Sequence, residues 1–529
     1  MRLITGSTLP NLHIVLDRMG IGTLNMESLP YENKSLPEFK RIKDVFGRLK
    51  NKNILLVGDN DNDGFVGIKI AYEYLNSNYN VDFLFPENKT HGLTVDMIMD
   101  NIIGNNYGLV IIIDSSTDRI RELNLLSHED LEIIVIDHHN PPKLPYPINK
   151  PNLLMINNKF SDNEIKYVSA GFLTYLCMEY IKDDLGLKPD DDYFDLALSS
   201  IYSDQCPLSD EYNRSIVEQG HKHHKRSRFM KLFMNRYDEL NLSYVNFKYA
   251  PIINNIFRLN RLDIIEKLIV CKGLELESEV EASKLLYQTG KNISEDILKS
   301  SHLVELEHVV FTDITKSNSI YSEVLDISNY TGIVAGKISE KYIKPAIVVY
   351  KLDEIGNKYK CSVRDCFNRN LLNVVHLLNL QGGGHNPAFG FTCNEKDLVP
   401  TIDYINEYVK AMTMNKDNQE QSANIIKINS LSELNHPLNK AIIKTYANYN
   451  LYASGGLPPI YIQTKIGDYA RIITEKNRVL VEEDGVELIL FDRVINRKNT
   501  QVKFTPTLKY NKYIELLGET IKVPKEVVQ

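Results

Sequence analysis

NILLVGDNDNDGFVG, residues 53–67, is an apolar run that stops abruptly at Asp59, Asp61 and Asp63 and is closed by Gly64. Ile54 to Val57 read as a buried strand, and FVGIKIAYEYLNS beyond the aspartates carries apolar residues at helical spacing. The stretch is therefore strand, acidic turn, helix. Carboxylates a few ångströms apart repel one another strongly unless a cation neutralises them, so a divalent metal is the expected partner.

The segments that follow extend this pattern. VDFLFP (81–86) predicts the next strand and Thr94 to Ile103 a helix. LVIIID (109–114) and LEIIVID (131–137) are short continuous apolar runs, each ending in an aspartate and separated by a helix-length segment. Such runs mark parallel strands buried on both faces. Ligands of parallel sheets bind outside the carboxyl ends of the strands, which predicts that Asp59, Asp114 and Asp137 meet on one edge. Asp204, in SDQCPLSD at a predicted helix end, joins the acidic set.

Helical patterns occupy residues 37–50, 169–185 and 193–202, and most of 211–300. A second α/β unit begins near Val309: GIVAGKISEKYIKPAIVVY (332–350) reads as a helix and a strand, YKCSVRDC as a strand, and QGGGHNPAFGF (381–391) as a glycine-rich loop. Residues 412–423 read as a polar linker. Alternating runs such as YIQTKI, RVLVEE and VELILFD beyond it predict a small β domain. The expected fold class is α/β, with a lead-in at 1–50, a parallel-sheet domain at 51–245, a helical connector at 246–305, a second α/β domain at 306–415 and the β domain at 425–529.

At 529 residues the chain is too long for one core. Its net charge of −8 excludes a globally basic nucleic-acid coat, so a nucleic-acid site has to be a local basic track. HKHHKRSRFMK (221–231) is one candidate, although most such runs are solvated helix faces. The 6 cysteines form no CxxC pair, and no apolar run reaches membrane-spanning length. A soluble, cytoplasmic protein with reduced thiols is expected.

Asp59, Asp61, Asp63, Asp114, Asp137, His138, His139 and Asp204 combine hard oxygen donors with imidazoles, a set suited to Mn²⁺ or Mg²⁺ in a paired site where one aspartate is shared. A calcium loop of the EF-hand type is disfavoured, because no glutamate stands at its twelfth position and the aspartates follow a strand. The ordered set DNDNDG, IIID, IDHH and SDQCPL resembles the four motifs of the DHH phosphoesterases, and among them the RecJ single-strand exonucleases. APIINNIFRL (250–259) is similar to a further RecJ segment, with Phe257 where that family has glycine. GIVAGKI, SVRD and GGGHNPAFG resemble the DHH-associated domain, and SGGLPPIYIQ (454–463) the entrance to an oligonucleotide-binding (OB-like) barrel.

The resemblance implies roles. Asp61 and Asp63 would ligate two metals, with Asp59 a further ligand or support, and Asp114 would bridge. His138 and Asp204 would complete one ion, His139 would touch the scissile phosphate or leaving group, and Asp137 would orient His138. Arg258, Ser362, Arg364 and the Gly382, Gly383, Gly384, His385 run would cradle substrate phosphates, with Lys89 replacing an arginine that reads a 5′ phosphate. The implied activity is exonucleolytic hydrolysis of single-stranded DNA, 5′ to 3′, releasing mononucleotides in DNA repair or recombination. A helicase or a single-strand DNA-binding protein is the implied partner, with a monomer the favoured state. Two alternatives remain: a small-oligonucleotide or cyclic-dinucleotide phosphodiesterase, and a non-catalytic single-strand-binding scaffold.

Overall fold

The computed structural model describes residues 31–417 apart from 88–91, 143–147, 161, 209, 223–225, 237, 323–324, 343, 353–356, 366–368, 370 and 386–387, and beyond 417 only the strands between 424 and 520. The chain divides into two compact units, one holding the described residues up to Phe85 and from 92 to Ala250 together with the late strands, the other holding Pro86, Glu87 and the residues from Pro251 to 417.

The first unit is built on five parallel strands, β1 (Asn53–Val57), β2 (Asn80–Leu84), β3 (Leu109–Ile113), β4 (Glu132–Asp137) and β5 (Leu153–Asn157), in the order β2-β1-β3-β4-β5. Register runs Ile54 against Leu109, Leu109 against Glu132, and Ile133 against Leu153. Alternate residues, Leu55, Val57, Val110, Ile112, Ile133 and Val135, enter one core with Ile98, Ile102, Leu123 and Leu126. That period of two leaves Ile54, Leu56, Ile111, Ile113, Ile134 and Ile136 for the opposite face. All of them are buried, which is why the strands read as unbroken apolar runs. Sequence patterning did not reveal β5, whose five residues follow a proline-rich stretch and offer no period to read.

Helices α1 (Phe39–Gly47), α2 (Asn62–Leu75), α3 (Ile120–Leu126), α4 (Ala170–Leu185), α5 (Phe194–Ser203), α6 (Glu211–Lys222) and α7 (Arg228–Phe233) complete this unit. α2 packs against both α4 and α5. Ser169 caps α4 through its Oγ, which accepts from the Phe172 amide, and Gly186 ends it at φ 63. The chain leaves β1 toward β2 on one side and reaches β3 on the other, so the crevice between β1 and β3 is a topological switch point.

The second unit opens with α8 (Ala250–Arg258), α9 (Leu262–Val270) and α10 (Gly273–Ser300). Its sheet contains β6 (Leu303–Glu305), β7 (Val310–Asp313), β8 (Ala346–Lys351), β9 (Lys358–Arg364), β10 (Gln381–His385) and β11 (Ala388–Asn394), ordered β10-β11-β9-β8-β7-β6, with α11 (Thr331–Tyr342), α12 (Leu372–Leu377) and α13 (Glu395–Asp417). Among the described residues of this sheet, only β7 and β8 pair in parallel.

Two local expectations change. The segment expected to be a glycine-rich loop is a β-hairpin in which Gly383 stands opposite Gly390. Glycines on facing strands leave no side chains to show a period, so the sequence carries no strand signal there. The first half of the expected polar linker belongs to α13, which continues to Asp417, because a helix once formed extends at low cost and Met412, Met414 and Lys416 favour it. The late strands β12 (Asn424–Lys427), β13 (Ile460–Lys465), β14 (Arg471–Glu475), β15 (Arg478–Glu483), β16 (Val486–Phe491), β17 (Gln501–Lys509) and β18 (Tyr513–Thr520) form one sheet ordered β12-β13-β17-β18-β16-β15-β14.

Candidate metal centre

The site is assembled at the carboxyl ends of β1, β3 and β4. Asp61 caps α2, its Oδ1 accepting from the amides of Asp63 at 2.9 Å and Gly64 at 3.1 Å. This turn requires glycine at 64, since a Cβ there would lie 2.4 Å from the Asp59 carbonyl oxygen. Asp63 then reaches across to the start of α4, where Ala170 donates to Oδ2 at 2.9 Å and Gly171 to Oδ1 at 2.8 Å. A carboxylate at a helix N-terminus is favoured by the unpaired amides and by the dipole. Burial, followed by the charges of Asp204 and Asp61, nevertheless holds Asp63 well above the ordinary carboxylate pKa.

Asp114, directly after β3, adopts φ 65, and Ser116 follows at φ 77. Two non-glycine residues in left-handed conformation within one turn are a local strain of the kind found at functional sites. The Asp114 amide remains tied to the Ile136 carbonyl at 2.9 Å. Its Oδ1 is buried with no hydrogen-bond donor, 3.3 Å from His138 Nε2. Burial first, then the charges of Asp63, Asp61, Asp59 and Asp204, push its pKa well above the usual range.

Asp137, at the end of β4, is fully buried and fully employed. Its Oδ1 accepts from the His138 amide at 2.7 Å, the His139 amide at 3.2 Å and His139 Nδ1 at 2.8 Å, while Oδ2 accepts from the Thr117 amide at 3.0 Å. Burial would raise its pKa, but the bond from His139 and the charges of both histidines hold it far below the ordinary value. Its side-chain bond thus goes to the His139 ring, whereas the expected partner was the His138 ring. Adjacent residues leaving a strand point apart, and only His139 turns back onto the carboxylate. In His139 burial works toward a lower pKa, but the Asp137 bond outweighs it and the value stands near 9.

His138 faces the acidic cluster. Its Nε2 lies 3.3 Å from Asp114 Oδ1 and 3.7 Å from Asp63 Oδ2, and its Nδ1 lies 3.5 Å from Asp204 Oδ2. Burial lowers its pKa to about 4, leaving a neutral imidazole available as a ligand near neutral pH. Asp204 comes from the C-terminal end of α5. Three overlapping groups result, Asp59 with Asp61 and Asp114, Asp63 with His138 and Asp204, and Asp114 with His138 and His139, each with donor atoms within 4.8 Å of one another. All six residues expected as metal ligands therefore come together. Hard oxygens with one imidazole, and a buried carboxylate oxygen lacking any donor, are the donor set that fits Mn²⁺ or Mg²⁺.

Sequence reading missed the supporting groups. Gly171 admits Asp63 to the helix, for a Cβ there would stand 2.8 Å from Asp63 Oδ1 and 2.9 Å from Ser200 Oγ. The signal was available in Ser169-Ala170-Gly171, a cap followed by two small residues before an apolar helix. Thr117 and Asn157, which brace the loops behind the site, carried no such signal.

Within the second unit, Arg258 ends α8 and Arg364 ends β9. Arg364 donates from Nη1 to the Val363 carbonyl at 2.8 Å, and its Nη2 lies across the first turn of α11, 2.7 Å from where a Cβ on Gly332 would stand. Burial and the neighbouring charge of Arg258 lower its pKa to about 10. Ser362 Oγ meets Thr331 Oγ1 at 2.9 Å. Gly384 has φ 121, a conformation that favours glycine, and Gly382 and Gly383 precede it on β10. The side chain of His385 and all of Lys89 lie outside the described residues. The basic run is partly absorbed by its own unit: Arg226 donates to the Gly220 carbonyl at 3.3 Å and Arg228 pairs with Asp190 at 3.0 Å.

Residues 53–201 match the model of the DHH family, N-terminal domain. A Bacillus subtilis (strain 168) protein provisionally named SPbeta prophage-derived single-strand DNA-specific exonuclease YorK is 23% identical over 406 residues, 70% of this chain and 68% of its own. The single-stranded-DNA-specific exonuclease RecJ of Thermus thermophilus is 25% identical over 356 residues, 65% of this chain and half of that protein. The solved structure of Thermus thermophilus RecJ with Mn²⁺ superposes with a TM-score of 0.70 at 19% identity, covering 97% of this chain and 76% of that one. A structure of the same protein with Mg²⁺ gives 0.63 at 18% identity, covering 97% and 75%. These likenesses bear out the mixed α/β architecture. No helix among the described residues is long and apolar enough to cross a membrane.

Proposed function

We propose, from the premise that residues 53–201 are a DHH domain, that this chain is a metal-dependent phosphodiesterase degrading single-stranded DNA exonucleolytically. The observation that carries the reading is the sharing of Asp114 and His138 among overlapping donor groups, which suits two adjacent cations better than one. Asp59, Asp61, Asp63, Asp114, His138 and Asp204 would hold Mn²⁺ or Mg²⁺, which when bound supply charge neutralisation of the phosphodiester and a more acidic water.

The remaining steps belong to the chain itself. Asp114 and His138 fix the donor geometry between the strand ends. His139, oriented and kept protonated by Asp137, would donate a hydrogen bond or a proton to a phosphate oxygen or to the departing hydroxyl. Arg364, Arg258, Ser362 and the Gly383-Gly384-His385 strand would offer cationic, hydroxyl and amide groups to substrate phosphates, with Lys89 a further candidate. The names of the curated relatives support single-stranded DNA as the polymer and exonucleolytic cleavage as the mode. Cleavage from the 5′ end into mononucleotides is part of the same proposal.

The test is digestion of 5′- and 3′-labelled single-stranded oligodeoxynucleotides with Mn²⁺ or Mg²⁺, beside a duplex and a cyclic dinucleotide. Release of labelled mononucleotide from the 5′ label first, abolished by EDTA, is expected. Faster hydrolysis of the dinucleotide, or strand binding without cleavage, would replace this reading with one of its two alternatives.

A further inference from the structure

Lys159 is a further cation whose charge acts on the metal centre. Lys159 follows β5, and two buried asparagines fix its backbone. Asn157 donates from Nδ2 to Thr117 Oγ1 and to the His139 carbonyl, both at 2.9 Å, while its Oδ1 accepts from the Lys159 amide at 2.8 Å. Asn158 donates from Nδ2 to the carbonyls of Ile165 and Val168, both at 2.9 Å. Lys159 is thereby anchored on one side to the loops bearing Asp114 and His139. On the other side it is anchored to the segment leading into α4, whose first amides hold Asp63.

The ammonium has an unusual setting. Nζ lies 5.0 Å from the centroid of the Tyr167 ring, which is itself 42% exposed. Asn213 fixes the Tyr167 main chain by donating to its carbonyl at 3.1 Å. Among the described residues no carboxylate lies within ion-pair distance of Nζ, although Asp204 and Cys206 are close enough to act on its titration. Burial pushes the lysine below its ordinary pKa, with Asp204 and Cys206 pulling the other way. A half-buried ammonium beside an acidic cluster normally settles into a direct ion pair. This one is held over an aromatic face instead, which keeps it charged and leaves its N–H donors for an incoming acceptor.

We infer that Lys159 binds a phosphate oxygen of the nucleic-acid strand at the metal centre, with Tyr167 as the residue that positions it. The assignment rests on the phosphodiesterase reading. It adds to the proposed arginine cradle a phosphate contact supplied by the DHH domain itself. Lysine suits the role as a point charge that tolerates any base sequence.

The experiment compares the full-length wild type with Lys159→Ala, Lys159→Arg and Tyr167→Leu on a labelled single-stranded oligodeoxynucleotide in Mn²⁺. KM, kcat and the salt dependence of kcat/KM are measured, Mn²⁺ affinity is measured by calorimetry, and strand binding by fluorescence anisotropy with Ca²⁺ in place of Mn²⁺. Lys159→Ala is expected to raise KM about tenfold and to flatten the logarithmic salt slope by about 0.7, the share of one phosphate on a single strand. Mn²⁺ affinity should not weaken, Lys159→Arg should recover most of the loss, and Tyr167→Leu should show a smaller KM effect. A merely structural lysine would leave the salt slope unchanged, and an active wild type with unaltered KM and slope in Lys159→Ala overturns the assignment. Should the wild type cleave no phosphodiester, the phosphodiesterase reading fails on its own, and anisotropy decides for Lys159. Weaker, less salt-dependent strand binding by Lys159→Ala would still support it, whereas equal binding by both proteins, or none by either, would end it.

Discussion

Neutralising Asp114 should make the metal-free protein more stable and the enzyme inactive. Asp114→Asn is the appropriate change, because asparagine tolerates the φ of 65 at this position. Alanine there would add a backbone penalty of about 1 kcal/mol. The Asp114 donor oxygen lies within 4.8 Å of those of Asp59 and Asp61. One ionised pair at that distance costs about 3 kcal/mol at an effective dielectric of about 20. Proton uptake already relieves part of this, so the net gain from Asp114→Asn is about 2 kcal/mol. For a unit of this size that is a rise in Tm of roughly 4–8 °C in EDTA. Because the folded-state pKa of Asp114 is raised, its favourable contribution is fully present below the ordinary carboxylate pKa and is lost as pH rises through the folded value. The advantage of Asp114→Asn should therefore be largest at pH 8 and shrink toward pH 5. Mn²⁺ should reverse the ranking, adding about 2.7 kcal/mol to the wild type at a hundred times Kd and little to the variant. Turnover should fall on the order of 10³-fold. Thermal unfolding by circular dichroism with and without Mn²⁺ reads all of this except turnover. A lower metal-free Tm at pH 8, or undiminished stabilisation by Mn²⁺, would refute the reasoning.

Other perturbations test separate parts of the site. Asp137→Asn removes the partner that raises His139 to about 9 and leaves burial less opposed, so in metal-free protein its imidazole should titrate well below that value, measurable by NMR. The wild-type pair should stabilise the fold most between the ordinary pKa of Asp137 and that of His139, because the lowered carboxylate loses its contribution as pH falls and the raised imidazole as pH climbs toward about 9. Gly171→Ala places a Cβ against Asp63 Oδ1 and Ser200 Oγ, and should weaken Mn²⁺ binding more than tenfold while costing about 1–3 kcal/mol in a denaturant melt. Arg364→Ala should raise KM for labelled single-stranded DNA at least tenfold and leave Mn²⁺ affinity unchanged by calorimetry.

The first unit was legible because its chemistry and its periodicity coincide. Each of β1, β3 and β4 is an apolar run followed by a charge, and burial on both faces wrote both features into the sequence together. β5 carries no charge and only five residues, so it was invisible until Leu153 to Asn157 were seen paired with Ile133 to Asp137. The second unit was less legible for a related reason, since its hairpin strand β10 is mostly glycine and its pairing depends on β11 rather than on any local pattern. The supports of the site were hidden most completely. Ala170, Gly171 and Thr117 act through backbone amides, which display no residue type, and only the small residues after the Ser169 cap hint at the pair on α4.

The hydrogen bonds also distinguish carboxylates that the sequence presents as equivalent. Asp61 commits Oδ1 to two amides of its own helix, and Asp63 commits both oxygens to the first turn of α4. Donors of that kind occupy lone pairs and fix the direction of those that remain, so each of these carboxylates has fewer free positions for a cation. Asp114 has the opposite environment: Oδ1 is buried, accepts no hydrogen bond and faces His138. A buried oxygen with both lone pairs unengaged is the one best able to serve two cations at once. The strained backbone at Asp114 is consistent with that demand, because a residue in ordinary strand geometry would send its side chain to one face of the sheet, away from Asp59 and Asp61 after β1 and His138 after β4.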